Sequence, residues 1–447
     1  MSVRGLLACL VACVAVLAAS ASSAWAHAAL LTALPKPGTT PRSGPPRVVL
    51  RFSEPVEIVR AADVSVVDER GRPVAAGRAR TDPRNASLVT IPLRAHLLPD
   101  SYTVRYRVIS ADSHAVEDAY VFALAGARLG PPVLRRVGGV SDTGGWAVAA
   151  RFAELVALGL LLALIAFRWL VWRPVSGGAL RRQERRAFWW AFWPCVALAG
   201  LAETLVLAAK SAVAYGTSVG DAILDPSAAY RFVRASRFGD LLGWRGAALC
   251  ALAAVALWAW SHESGDEAGD RPRAALAMAV LSALTLGLLA TQGHASQAPL
   301  AAGSVAVDSV HLGAVAIWIG GLPALALVLR AAPRPLAAGV LARFSRVALT
   351  AVGVVVATGL LRLVAEVTDP AQLWETAYGR SVVAKAALLW PVAFLALRNR
   401  RMLVALAHAG RPTGAALRVV RRNVQAELAL SLGIVAIAAL LVAEVPK

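Results

Sequence analysis

The sequence predicts an exported all-β sandwich followed by an all-α polytopic membrane bundle of about eight transmembrane helices. Three observations point there. The 447 residues are 58% hydrophobic and only 16% charged. Short alternating segments fill the first hundred residues after an export signal, and apolar runs of membrane-spanning length fill the rest. So apolar a chain is not disordered, and four Cys in this length do not make a disulfide scaffold. The formal charge of +19 sits mostly in short basic clusters between apolar runs. Topology accounts for that pattern, so the expected partner is a lipid membrane and not nucleic acid.

The export signal comprises residues 1–26. Arg4 precedes the apolar run Leu6 to Leu17, and Ala24-Trp25-Ala26 places small residues where a signal peptidase needs them. Cleavage leaves His27 as the first residue of the mature chain. Cys9 and Cys13 depart with the peptide, and the remaining Cys195 and Cys250 form no Cys-x-x-Cys pair.

Residues 27–126 form the expected β domain. Arg47 to Ser53, Asp63 to Asp68, Ser87 to Ile91, Ser101 to Val108 and Tyr120 to Leu124 read as strands, punctuated by Pro37-Gly38 and Gly71-Arg72-Pro73. Residues 127–145, with Gly130-Pro131-Pro132 and Gly144-Gly145, read as a linker. The membrane domain is 146–447, with helices expected at about 146–171, 187–209, 241–260, 274–292, 305–329, 347–367, 381–397 and 427–444. With the β domain outside, inner loops carry 18 Lys and Arg and outer loops 5, as the positive-inside rule requires of a multi-pass protein of the cytoplasmic (inner) membrane. The loop at 261–273 departs from this pattern, because Glu263, Asp266, Glu267 and Asp270 outnumber its two Arg.

Two groups of residues carry candidate metal chemistry. A histidine at the amino terminus offers its α-amine and its imidazole as a chelating pair. Ser110-Ala-Asp-Ser-His114 places a carboxylate and a second imidazole two residues apart in the turn before the last strand. His27, Asp112 and His114 together make a three-nitrogen, one-oxygen set suited to square-planar Cu(II). The exported domain contains no Met and no Cys, so it offers Cu(I) no soft ligand. From spacing alone, a loop histidine and a turn-forming Asp are the commoner readings; the coincidence with His27 favours the metal. His96, among apolar neighbours, reads as a packed or surface histidine.

The second group lies toward the outer end of the bundle. Glu154, Glu203, Asp308, His311, Arg362, Glu366 and Lys385 are intramembrane ionisable residues, and His294 lies just beyond the fourth helix. Together they suggest a polar outer vestibule in which His294 and His311 handle metal. Interhelical ion pairing is the ordinary reading for Arg362, Glu366 and Lys385. Cys195 and Cys250 read as small core residues, and Gly320-Gly321 as a close helix contact.

The stretches His27-Ala-Ala-Leu, Pro35-x-Pro-Gly38, Val49-Leu-Arg-Phe-Ser-Glu-Pro-Val56, Tyr102-Thr-Val-Arg-Tyr106 and Ser110-Ala-Asp-Ser-His114 resemble the CopC copper-binding family. The resemblance implies a Greek-key, cupredoxin- or Ig-like sandwich binding Cu(II) through His27, Asp112 and His114. The family's Met-rich Cu(I) site is not matched. Asp308-Ser-Val-His-Leu-Gly-Ala-Val-Ala-Ile-Trp-Ile-Gly-Gly-Leu322, with Gly293-His294-Ala295, resembles the CopD membrane family. A CopC–CopD fusion resembles the single-chain copper-uptake proteins of bacteria. This implies a non-enzymatic role, capturing Cu(II) outside the cytoplasmic membrane for import and copper homeostasis, with other copper proteins as further partners. Copper buffering or resistance without transport is the alternative. A histidine-brace oxidoreductase is a third, disfavoured because Asp112 fills the fourth planar position. No Walker-A, Gly-x-Ser-x-Gly or His-Glu-x-x-His pattern occurs. No catalytic residue and no organic cofactor is therefore expected.

Overall fold

Alternation of apolar and polar residues builds the β domain. In the computed structural model the described residues are 28–60, 63–110, 115–134, 144–177, 181–263, 271–291, 301–366, 370–375, 377–408 and 414–443. The strands are β1 (Leu30–Leu34), β2 (Arg47–Phe52), β3 (Val56–Glu57), β4 (Val64–Asp68), β5 (Arg80–Asp82), β6 (Asn85–Pro92), β7 (Ser101–Ser110) and β8 (Ala115–Ala123). One antiparallel sheet has the order β1-β2-β6-β5. In the other, β7 pairs with β8 from Ser101↔Ala123 to Ile109↔Ala115, while β4 and β3 share its opposite edge. The chain changes sheet after β2, β4 and β6, and the pairing of β2 with β6 is the Greek-key connection. Val48, Leu50, Phe52, Val66, Val89, Ile91, Val104, Val108 and Phe122 face inward and bury the shared core. Phe52 and Tyr106 join the sheets edge to face, with ring centroids 5.4 Å apart.

Sequence reading located five strands and missed β1, β3 and β5, which are short and lie on sheet edges. Part of the expected linker is tied to the sandwich: Gly130 N donates to Ser101 Oγ at 3.0 Å and Val133 N to Thr103 Oγ1 at 2.9 Å.

The helices are α1 (Gly144–Ala166), continued by a π-helical stretch (Phe167–Trp172) into α2 (Arg173–Ser176), then α3 (Arg181–Tyr215), α4 (Val219–Leu224), α5 (Pro226–Ala235), α6 (Arg237–His262), α7 (Pro272–Ala290), α8 (Ala301–Ala331), α9 (Arg334–Glu366), α10 (Gln372–Glu375), α11 (Ala377–His408) and α12 (Gly414–Ala443). Among the described residues, eight long helices overlie the eight expected segments, and shorter helices raise the number above eight. Six are long and apolar enough to cross a membrane: those beginning with α1, α3, α6, α7, α8 and α9. The extra helices α4 and α5 arise where a loop was expected at 210–240. Ser218 and Asp221 form a reciprocal capping box on α4, and the Asp225 side chain caps α5 ahead of Pro226.

The chain forms two compact units. One contains residues 25–146 with 205–243, and the other residues 147–204 with 244–447. Within the first, β-domain arginines satisfy carbonyls in the last turn of α3: Arg60 Nη1 donates to Tyr215 O at 2.9 Å, and Arg107 Nη2 donates to Val213 O. Val213 O also accepts from Gly216 N at 3.4 Å, and the cations sit at the negative end of the helix dipole. Within the second unit, Gly320 and Gly321 fill the packing role expected of them. A Cβ on Gly320 would meet Ala163 Cβ at 2.6 Å, and one on Gly321 would meet the Phe344 ring at 2.5 Å.

Asp68 fastens the turn after β4. Its buried carboxylate accepts from Arg70 N at 3.0 Å, Arg72 N at 2.8 Å and Arg72 Nε at 2.7 Å. Burial opposes the charge, but the bonds from Arg72 and Arg70 outweigh it and hold this carboxyl below its ordinary value. A depressed folded-state pKa means stability that is present above the unfolded value of about 4 and lost as pH falls through the folded value. Asp68→Asn should destabilise the β domain by about 1–3 kcal/mol at neutral pH and by progressively less in acid. Hydrogen exchange at the β4 and β7 amides measures this, and a loss independent of pH would contradict it.

Candidate metal centre

The residues flanking the first predicted site converge on one short segment. Ala28 is buried; Ala29 N donates to Ser53 Oγ at 2.9 Å, and Ser53 N donates to Ala29 O at 2.8 Å. Three residues further on, Val56 pairs with Ser110, the last residue of β7. Ile109 pairs with Ala115 at the first register position of β8. Residues 53–56 therefore tether both the chain leading back to His27 and the strand leading into 111–114. His27, Asp112 and His114 themselves lie outside the described residues. His96 is exposed at a backbone φ of 57° in the bend after β6, in keeping with a surface histidine.

In the bundle, the ionisable residues are wired together. Arg245 on α6 is completely buried between Glu154 of α1, with which it forms an ion pair, and Glu203 of α3, which it meets through Nη2 at 2.8 Å and Nε at 2.5 Å. Arg151 Nη1 donates to the second oxygen of Glu154 at 2.8 Å. Glu154 and Glu203 were legible as intramembrane carboxylates; Arg151 and Arg245 were missed. Their signal was two carboxylates in apolar helices that required cations of equal number.

A second ladder joins α8 and α9. Arg362 Nη1 lies 2.5 Å from Asp308 Oδ1, in line with the ion-pair reading of Arg362. One turn along, His311 Nδ1 lies 2.8 Å from Thr358 Oγ1. Thr358 was not singled out from sequence. His294 and the side chains of Glu366 and Lys385 lie outside what is described.

Two further polar clusters escaped sequence reading. Arg168 meets Glu184 at 2.6 Å and Glu263 at 3.2 Å, and Trp189 Nε1 donates to Glu263 at 3.1 Å. Glu263 belongs to the acidic stretch that broke the loop-charge pattern, and its burial against Arg168 removes it from that count. Asn423 donates to Asn399, which donates to buried Glu427 at 2.6 Å. Cys195 packs in the helical core, whereas Cys250 is exposed. Among the described residues, no group of three or more His, Cys, Asp or Glu is placed to hold a metal ion.

A Greek-key sandwich joined in one chain to a polytopic helical region defines a membrane protein with an attached β domain. The CopC domain family matches residues 30–125, the copper resistance protein D-like N-terminal domain 141–304, and copper resistance protein D 338–441. The chain thus joins a CopC domain to copper resistance protein D domains, a combination that supports copper handling. It is 27% identical over 395 residues to the copper transport protein CutJ of Bacillus subtilis, spanning 85% of this chain and 70% of that one. It is 28% identical over 102 residues to protein YobA of Escherichia coli K12, covering 23% of this chain and 82% of YobA. Among solved structures, CopC from Methylosinus trichosporium OB3b is 27% identical over 24% of this chain and 98% of its own, at a TM-score of 0.20. PcoC, a methionine-rich copper resistance protein from Escherichia coli, is 23% identical over 22% of this chain and 99% of its own, at a TM-score of 0.19.

Arg245→Ala should destabilise the bundle by about 3–5 kcal/mol, because it takes the guanidinium from buried Glu203 and leaves Glu154 with Arg151 alone, and Arg245→Lys should restore part of the loss. Thermal unfolding of the purified chain in lipid reads this directly. A variant melting with the wild type would show that the pairing contributes little.

Proposed function

We propose that this protein captures Cu(II) on the extracytoplasmic side of the cytoplasmic membrane and passes it to its membrane domain for import. His27, Asp112 and His114 hold the ion in the β domain. His294 and His311 receive it at the outer end of the bundle. The observation that carries the reading is the double tether at residues 53–56: Ala29 bonded to Ser53, and Val56 paired with Ser110. An α-amine and imidazole from one chain end, with a carboxylate and imidazole from a hairpin, then need only a short reach to complete a planar set. The name of CutJ as a copper transport protein supports a transport role.

One observation favours the alternative, copper buffering with the bundle as an anchor. Glu154, Glu203 and Asp308 each have a guanidinium against them, so these carboxylates brace helices.

Copper in the cytoplasm and envelope of copper-limited cells separates the two. The intact chain should raise cytoplasmic copper, whereas His27→Ala with His114→Ala, or His311→Ala alone, should abolish the rise. Copper accumulating only in the envelope would establish buffering instead.

Capture also depends on a free amino terminus at His27. One extra residue before His27 should change the electron paramagnetic resonance spectrum of bound Cu(II) and weaken binding at least about tenfold, since it removes the α-amine as a ligand. An unchanged spectrum and affinity would eliminate the amine from the site.

A further inference from the structure

Thr358 makes three close contacts, and its hydroxyl has one proton to share among them. Oγ1 lies 2.6 Å from Val354 O, 3.1 Å from Val355 O and 2.8 Å from His311 Nδ1. Both carbonyl oxygens can only accept. Two oxygens 2.6 Å apart require a proton between them, so the hydroxyl donates back along its own helix, as helical threonines commonly do. Toward His311 the hydroxyl therefore presents lone pairs, and the ring nitrogen facing it must donate.

We propose that Thr358 holds His311 in the tautomer protonated on Nδ1, so that Nε2 is the nitrogen with which the membrane bundle takes copper. The inference rests on the copper-accepting role given above to His311; what it adds is the donor atom and the residue that fixes it. A metal-binding imidazole needs an unprotonated nitrogen, and a hydrogen bond from the other nitrogen selects which one that is. Thr358 is buried, so no solvent competes for the Nδ1 proton from its side. The Asp308–Arg362 pair, three residues from His311 on α8 and four from Thr358 on α9, holds the two helices in register for this contact. Thr358 is thus a positioning residue acting through the imidazole.

The test uses the full chain in lipid nanodiscs with ¹⁵N-labelled histidine. His311 signals are identified by their loss in His311→Asn. Copper-free wild type should show Nδ1 protonated and Nε2 unprotonated. Thr358→Val, which keeps the shape and removes the hydroxyl, should lose that single tautomer, whereas Thr358→Ser should keep it. Binding of Cu(I) alone and of Cu(II) alone is then measured in the His27→Ala, His114→Ala background. Thr358→Val should weaken binding by about tenfold or more, the usual penalty for removing an outer partner of a metal-binding histidine, and Thr358→Ser should not. A wild-type His311 protonated on Nε2, or a Thr358→Val chain that binds copper as tightly as wild type while His311→Asn does not, overturns the proposal. The expected tautomer with copper binding unaffected by His311→Asn upholds the hold of Thr358 on the ring and overturns the copper-accepting role instead.

Discussion

Arg245 sets the terms on which the first half of the bundle can form. A guanidinium with no solvent exposure inside apolar helices is tolerable only when opposite charge surrounds it. Here Glu154 and Glu203 from two other helices do so, and Arg151 also pairs with Glu154. The four charges sum to zero, and the planar fork of Arg245 fixes where α1, α3 and α6 cross. Leu158, Leu161, Phe192, Leu249 and Leu252 pack into one core around that arrangement. Apolar packing alone would let such helices rotate or slide, because lipid solvates leucine as well as another helix does. The charge cluster specifies depth and rotation where hydrophobicity cannot.

The second half uses smaller devices for the same purpose. Glycines at 320 and 321 bring α8 against α1 and α9 more closely than any side chain allows. The two rungs between α8 and α9, one ionic and one from imidazole to hydroxyl, then fix the rotation of that pair. Asn399, Asn423 and Glu427 do this between α11 and α12. The last two devices place polar groups of neighbouring helices within hydrogen-bonding distance, so they sit where the sequence interrupts an apolar run.

What was legible in the sequence follows from that physics. Span-length apolar runs fix the long helices, and period-two alternation fixed the strands that bury a face. The short edge strands β1, β3 and β5 carry little alternation and were missed. Helices α4 and α5 hid in a polar stretch, although Ser218 with Asp221, and Asp225 before Pro226, were readable capping signals. Arg245 was passed over as one more basic residue near a helix end. Its meaning lies in the distant Glu154 and Glu203, and a single sequence does not pair them. Thr358 had no signal at all, since one threonine in an apolar helix is unremarkable until a histidine faces it.

On the proposed reading, the paired carboxylates also constrain how copper would cross. Among the described residues, Glu154, Glu203 and Asp308 are each engaged by an arginine. A dication gains one of them as a ligand only by displacing a guanidinium, which would leave that cation buried without its partner. Transfer into such a bundle would therefore favour neutral donors, imidazole first. After the signal the chain contains only Met278 and Met402, so a thioether relay is not available to soften the path. On the proposed reading, the ion handed on by the β domain would therefore be held in the bundle by imidazole nitrogen and not by these carboxylates.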